Sequence, residues 1–142
     1  MFTYADGSAL SRYLARDVES AFWMRWADSH RERLVTSPLA LTELRRAADA
    51  LGSVARETAR NVATSLVQVR FFDQGLKVAA MTTSVLPPFA ALHLGIAVGH
   101  PQVDAIATYD PLLAQVATLY RLGVVAPGRK DGWWEERASL AQ

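Results

Sequence analysis

The chain has 142 residues, 51% of them apolar, which is enough for one sizeable core and too few for two ordinary domains. Its 15 basic and 14 acidic side chains leave a formal charge of +1, so bulk electrostatics neither demand nor exclude a nucleic-acid partner, and any such affinity has to come from a local patch. With no cysteine, disulfides, thiolate zinc sites and cysteine nucleophiles are excluded.

The opening residues lack the basic start and apolar run of a secretory signal. The longest apolar-rich stretch, residues 85–98, is broken by Pro87, Pro88 and His93 and is too short to span a bilayer. The expectation is a cytoplasmic protein with no membrane association.

Residues 2–5 read as a short strand ending in Asp6-Gly7, after which Ser8 is placed to cap a helix through Ala9, Leu10, Tyr13 and Leu14. A second helix is expected over residues 18–31, where Phe22, Met24 and Trp26 serve packing. Leu34-Val35-Thr36 reads as a brief strand. Ser37 then supplies an N-cap and Pro38 the first helical position, and Leu41, Leu44, Ala48 and Leu51 recur at helical spacing.

Gly52 ends that helix and Ser53 starts a longer one, which runs to Leu66 before residues 69–72 turn extended and close on Asp73. Residues 76–85 and 89–98 are helical on either side of Pro87-Pro88. Asp104-Ala105-Ile106-Ala107-Thr108-Tyr109-Asp110 has strand length and ends in an acid, Pro111 opens a helix that stops at Gly123, and Val124-Val125-Ala126 is a last strand. Alternating strands and helices predict an α/β fold, a three-layer α/β/α sandwich around a mostly parallel sheet. Ligands of such sheets gather at the carboxyl ends of the strands, where Asp6, Asp73 and Asp110 fall.

If the first and fourth strands are neighbours, Asp6 and Asp110 come together. Glu43 shares a helical face with Leu39, Ala40 and Ala47 rather than with Arg45 and Arg46, so its carboxylate is directed toward apolar surroundings and needs a partner. Closely held carboxylates repel, and a hard divalent cation with oxygen ligands, magnesium or manganese, resolves the repulsion. Such an ion activates water and stabilises charge on a phosphoryl oxygen, which is phosphodiester chemistry. The other reading of these acids is ordinary: helix caps, turn formers and a solvated helical glutamate.

The stretch Tyr4-Ala5-Asp6-Gly7-Ser8-Ala9-Leu10 resembles the opening Asp-Thr-Ser-Ala-Leu element of PIN domains, VapC-like toxins in particular. Ser37-Pro38-Leu39-Ala40-Leu41-Thr42-Glu43-Leu44-Arg45-Arg46 is similar to their second motif. Ala91-Leu92-His93-Leu94 resembles their Asp-Ala-Leu-His-Leu element, and the run ending Thr108-Tyr109-Asp110 resembles their late strand. The resemblance covers residues 2–127 in the expected order, which defines a PIN-like domain over residues 1–127 and a tail over residues 128–142. It implies a magnesium-dependent ribonuclease of a toxin–antitoxin pair, held in check by a VapB-like antitoxin and acting on RNA as a homodimer.

By the same resemblance Asp6, Glu43 and Asp110 carry the metal and the catalysis, Ser8 and Thr108 support them, and Asp104 is an accessory acid. The family has one more aspartate directly before its Ala-Leu-His element, and here that position is Ala90. Losing one carboxylate of a small acidic cluster weakens metal binding and misplaces the attacking water, so impaired activity is expected. The alternative is a non-catalytic PIN scaffold that binds antitoxin or RNA. A phosphoacceptor domain with Asp73 as acceptor is a third class, set against the lone acid at Asp6 and the absence of lysine over residues 124–128.

Three further features stay open between readings. His93 is a general base or a structural histidine. Arg45 and Arg46 contact phosphates, with Arg12, Arg16 and Arg70 as further candidates, or all are solvated charges. Trp133 and Trp134, flanked by Lys130, Asp131, Glu135, Glu136 and Arg137, stack on bases, bury against a partner or pack back on the body.

Overall fold

A computed structural model describes residues 1–135. Five strands, β1 (Phe2–Ala5), β2 (Leu34–Thr36), β3 (Val67–Gln68), β4 (Val103–Ala107) and β5 (Gly123–Val125), form one sheet in the order β3-β2-β1-β4-β5, and every pair is parallel. The helices that join or flank them among the described residues include α1 (Gly7–Leu10), α2 (Val18–Ser29), α3 (Pro38–Asp49), α4 (Ser53–Ser65), α5 (Asp73–Thr82), α6 (Pro88–Gly99) and α7 (Pro111–Leu119).

Side chains alternate across the strands and sort the core into two layers. Tyr4, Val35 and Ile106 point to one face, where α5, α6 and α7 supply Val78, Leu94 and Leu113. Their neighbours Ala5, Leu34 and Ala107 point to the other, where Leu10, Trp23, Leu41, Leu44 and Val62 come from α1 to α4. The result is the three-layer α/β/α sandwich expected from the order of elements. No helix among the described residues is long and apolar enough to cross a membrane.

Two local expectations are corrected. Asp6, not Ser8, caps α1: it is extended (φ −83°, ψ −179°) and accepts from the Ala9 N–H. The third strand is Val67–Gln68 rather than residues 69–72. Its length follows from β2, which ends at Thr36 because Ser37 and Pro38 turn the chain into α3. Once Thr36 has paired with Gln68 and accepted the Val69 N–H at 2.8 Å, no partner backbone remains for residues 70–72.

The chain builds outward from β1 through β2 to β3 and then returns to the opposite side of β1 to lay down β4. The strand order therefore reverses between β1 and β4, and a crevice opens beyond their carboxyl ends. Asp6 follows β1 directly, and Asp110 follows β4 after Thr108 and Tyr109.

Candidate functional site at the β1 and β4 ends

Asp6 is 3% exposed, and its carboxylate is held on both oxygens. Oδ1 accepts from the Ser8 hydroxyl at 2.7 Å and the Ala9 N–H at 2.9 Å, and Oδ2 accepts from the Thr108 hydroxyl at 2.6 Å. Burial pushes the carboxyl above its ordinary value, while His93 and the donors from Thr108, Ser8 and Ala9 pull the other way. Thr108 also accepts the Asp110 N–H at 3.1 Å, so one buried hydroxyl ties the two acidic positions together. Ser8 accepts the Tyr109 N–H at 2.8 Å and fixes the same turn from the other side.

Asp110 is half-buried and caps α7, with Oδ1 accepting from Leu112 N–H at 3.0 Å and Leu113 N–H at 3.3 Å ahead of Pro111 at the first helical position. Glu43 stands midway along α3 with its side chain 31% exposed. It presses on α1 so closely that a Cβ at Gly7 would meet the Glu43 carboxyl at 2.7 Å, so a larger residue there requires the Glu43 side chain to shift. Its Oε1 is bonded to His93 Nε2 from α6.

His93 is buried and joins a chain of groups. Its Nδ1 lies 2.7 Å from the Tyr4 hydroxyl, which lies 2.7 Å from Ser37 Oγ, and that oxygen accepts the Ala40 N–H at 3.2 Å as the cap of α3. One polarity satisfies every group: Ser37 donates to Tyr4, Tyr4 donates to Nδ1, and Nε2–H donates to Glu43. Burial raises the Tyr4 hydroxyl well above its ordinary value, so it stays a donor. Tyr4 and Ser37 were not among the expected site residues. The available signal was Tyr4 alternating with Ala5 in a strand, because a buried tyrosine hydroxyl needs a partner.

An open groove of about 620 Å³ is lined by Gly7, Ser8, Ser11, Glu43, Arg46, Ala47 and Phe89. Asp6, Glu43 and Asp110 thus occupy one end of the molecule, yet each is engaged within the protein. Among the described residues no group of three or more His, Cys, Asp or Glu side chains is arranged to hold a metal ion. The residues present do not fit a three-carboxylate ion site.

Asp104 lies away from the crevice: it is exposed in the first half of β4, at the end remote from Asp6. Asp73 is exposed at the start of α5, beyond β3. Ala90 is 8% exposed near the start of α6, three positions before His93 and so on the face of the helix that reaches Glu43. Arg46 lines the acidic groove, whereas Arg45 faces a different one. Trp133 and Trp134 pack on the body, edge to face at 5.8 Å, with the Arg129 guanidinium 4.6 Å from the Trp133 ring and Gln115 bonded to the Trp134 carbonyl. Glu136 and Arg137 lie outside the described residues.

No protein-family model, curated protein or solved structure matches the chain.

Proposed function

We propose that the chain is a VapC-like PIN domain of a toxin–antitoxin pair, built on the scaffold of a metal-dependent endoribonuclease, and that cleavage by the sequence as it stands is impaired. The observation that carries this reading is the meeting of Asp6 and Asp110 at the β1/β4 reversal through one shared hydroxyl, with Ala90 in α6 three positions before the His93 that bonds Glu43. A chain that kept the polar support of Asp6, in Ser8 and Thr108, while lacking the expected fourth acid has the framework of an acidic site without its full charge.

No hydrolytic step follows from the residues as arranged. What they do is hold Asp6 desolvated and oriented, and present Glu43 half-exposed in an open groove. A basic side chain from an antitoxin would find there a carboxylate to pair with, and the homodimeric assembly remains part of the proposal by resemblance.

The second reading, a non-catalytic scaffold that binds antitoxin or RNA, is favoured by the Glu43–His93 bond, which already occupies one of the acids. Titration calorimetry with magnesium and manganese, on the parent and on Ala90→Asp, separates the two when run beside cleavage of total RNA. Metal binding and cleavage gained by the variant identify a disabled ribonuclease. A folded variant that neither binds nor cuts leaves the scaffold reading.

A further inference from the structure

On the side of α3 away from the acidic groove lies a second groove of about 360 Å³, lined by Arg45, Ala48 and Asp49 of α3 and by Arg56, Ala59 and Arg60 of α4. Its floor is small and apolar, with Ala48 and Ala59 buried where the two helices meet. Its walls carry three guanidinium groups against one carboxylate. Arg45, Arg56 and Arg60 are all exposed, and none forms an ion pair among the described residues. Three of the 15 basic side chains of a nearly neutral chain therefore converge on one concave surface.

Each element of this arrangement has a reason in the sequence. Arg56 and Arg60 are one turn apart on α4 and rise from the same face. Arg45 approaches from the neighbouring helix, across a contact that alanines keep narrow. The next residue along α3, Arg46, is rotated by about 100° and lines the acidic groove. Arg45 and Arg46 thus flank the crest of one helix, with an arginine groove on one side and Glu43 on the other.

We infer that the α3/α4 groove binds the phosphodiester backbone of single-stranded RNA and that Arg46 leads the strand over α3 toward the acidic groove. Guanidinium forks match phosphate oxygens in pairs, and their convergence supplies the local basic patch that a net charge of +1 does not. The inference rests on the RNA reading given above. It adds that binding and bond cleavage are separated in space: the strand is held on arginines with no part in the acidic crevice. Specificity for a base is not carried by this surface, because phosphate contacts position a strand without reading it.

The test is fluorescence anisotropy with a labelled single-stranded RNA across a salt series, on the parent, on Arg56→Gln/Arg60→Gln, and on Arg25→Gln/Lys77→Gln. The last pair removes the same charge from exposed positions outside the groove. The groove double variant should bind at least about tenfold more weakly near 0.1 M salt, and its plot of log affinity against log salt should flatten by about 1.4, the sum for two lost phosphate contacts. The control should stay close to the parent. Equal losses in both variants, or loss in neither, would overturn the groove while leaving RNA binding itself intact. A parent that binds no RNA overturns the groove and the RNA reading of the unrevised chain together, and metal-dependent cleavage by Ala90→Asp then decides separately whether the scaffold is that of a nuclease.

Discussion

Tyr4 of β1 reaches His93 of α6 through a 2.7 Å hydrogen bond, and this contact sets the angle at which His93 meets Glu43. The sheet thereby fixes a groove carboxylate through a buried imidazole rather than through the helix that carries it. Tyr4→Phe keeps the ring and its packing but leaves Ser37 and His93 without their shared partner. The expected cost is about 1–3 kcal/mol, read from urea denaturation. A change below about 0.5 kcal/mol would mean that the hydroxyl contributes nothing to holding His93.

Thr108 carries two bonds at once, donating to Asp6 and accepting from the Asp110 N–H, and it is fully buried. Thr108→Val has nearly the same volume and removes both. One lost bond belongs to a buried carboxyl, so a loss of about 1.5–3 kcal/mol is expected, at the upper end of what a single hydroxyl contributes. Because Thr108 joins the two acids, its effect should not add to that of Asp6→Asn: a double-mutant cycle should give coupling above about 0.5 kcal/mol. Simple additivity would show that the two strand ends are held independently.

The Asp6 carboxyl titrates above its ordinary value of 3.8, with burial as the main cause. The folded chain keeps this proton to higher pH than the unfolded chain. Its contribution to stability is complete below 3.8 and is lost as pH rises through the folded value. Asp6→Asn has no such group, so the melting temperature of the parent should fall relative to that variant as pH is raised from about 3 to about 8. Parallel melting curves over that range would show that the hydrogen bonds from Thr108, Ser8 and Ala9 fully offset desolvation.

Parts of this site are visible in the sequence because they depend on local rules. Ser37-Pro38 states where α3 begins, and the acids after the first and fourth strands follow from where apolar runs stop, whereas helical spacing separated Glu43 from Arg46 although both line one groove. Register and long-range partners are not local. The Tyr4–His93 bond joins residues 89 apart in the chain, and no periodicity announces it. Asp104 was an accessory acid by resemblance alone, with no local rule behind it. The extended β4 places it at the end of the strand remote from Asp6. The third strand was misplaced because its limit is set by the length of β2 rather than by its own residues.

The close packing of α5 on α6 was equally silent, although its residues are distinctive. Gly75 and Gly95 bring the two helix backbones so near that a Cβ on Gly95 would fall 2.2 Å from the Gly75 carbonyl oxygen, and one on Gly99 would fall 2.8 Å from the Gly75 nitrogen. Gly95-Ile96-Ala97-Val98-Gly99 therefore presents two bare positions one turn apart, and α5 lies against them. An added methyl meets backbone, which has no rotamer to move into, so the helices must separate. Alanine is ordinarily the better helix former by roughly 1 kcal/mol, and propensity alone predicts that Gly95→Ala stabilises α6. The packing argument predicts the opposite sign, a loss of about 1–3 kcal/mol or more, with the midpoint of urea unfolding moved down. Since α6 also carries His93, the same variant should displace the imidazole from Glu43, visible as a shifted histidine ring resonance. A stabilised Gly95→Ala with that resonance unmoved would show that the two helices are not in backbone contact.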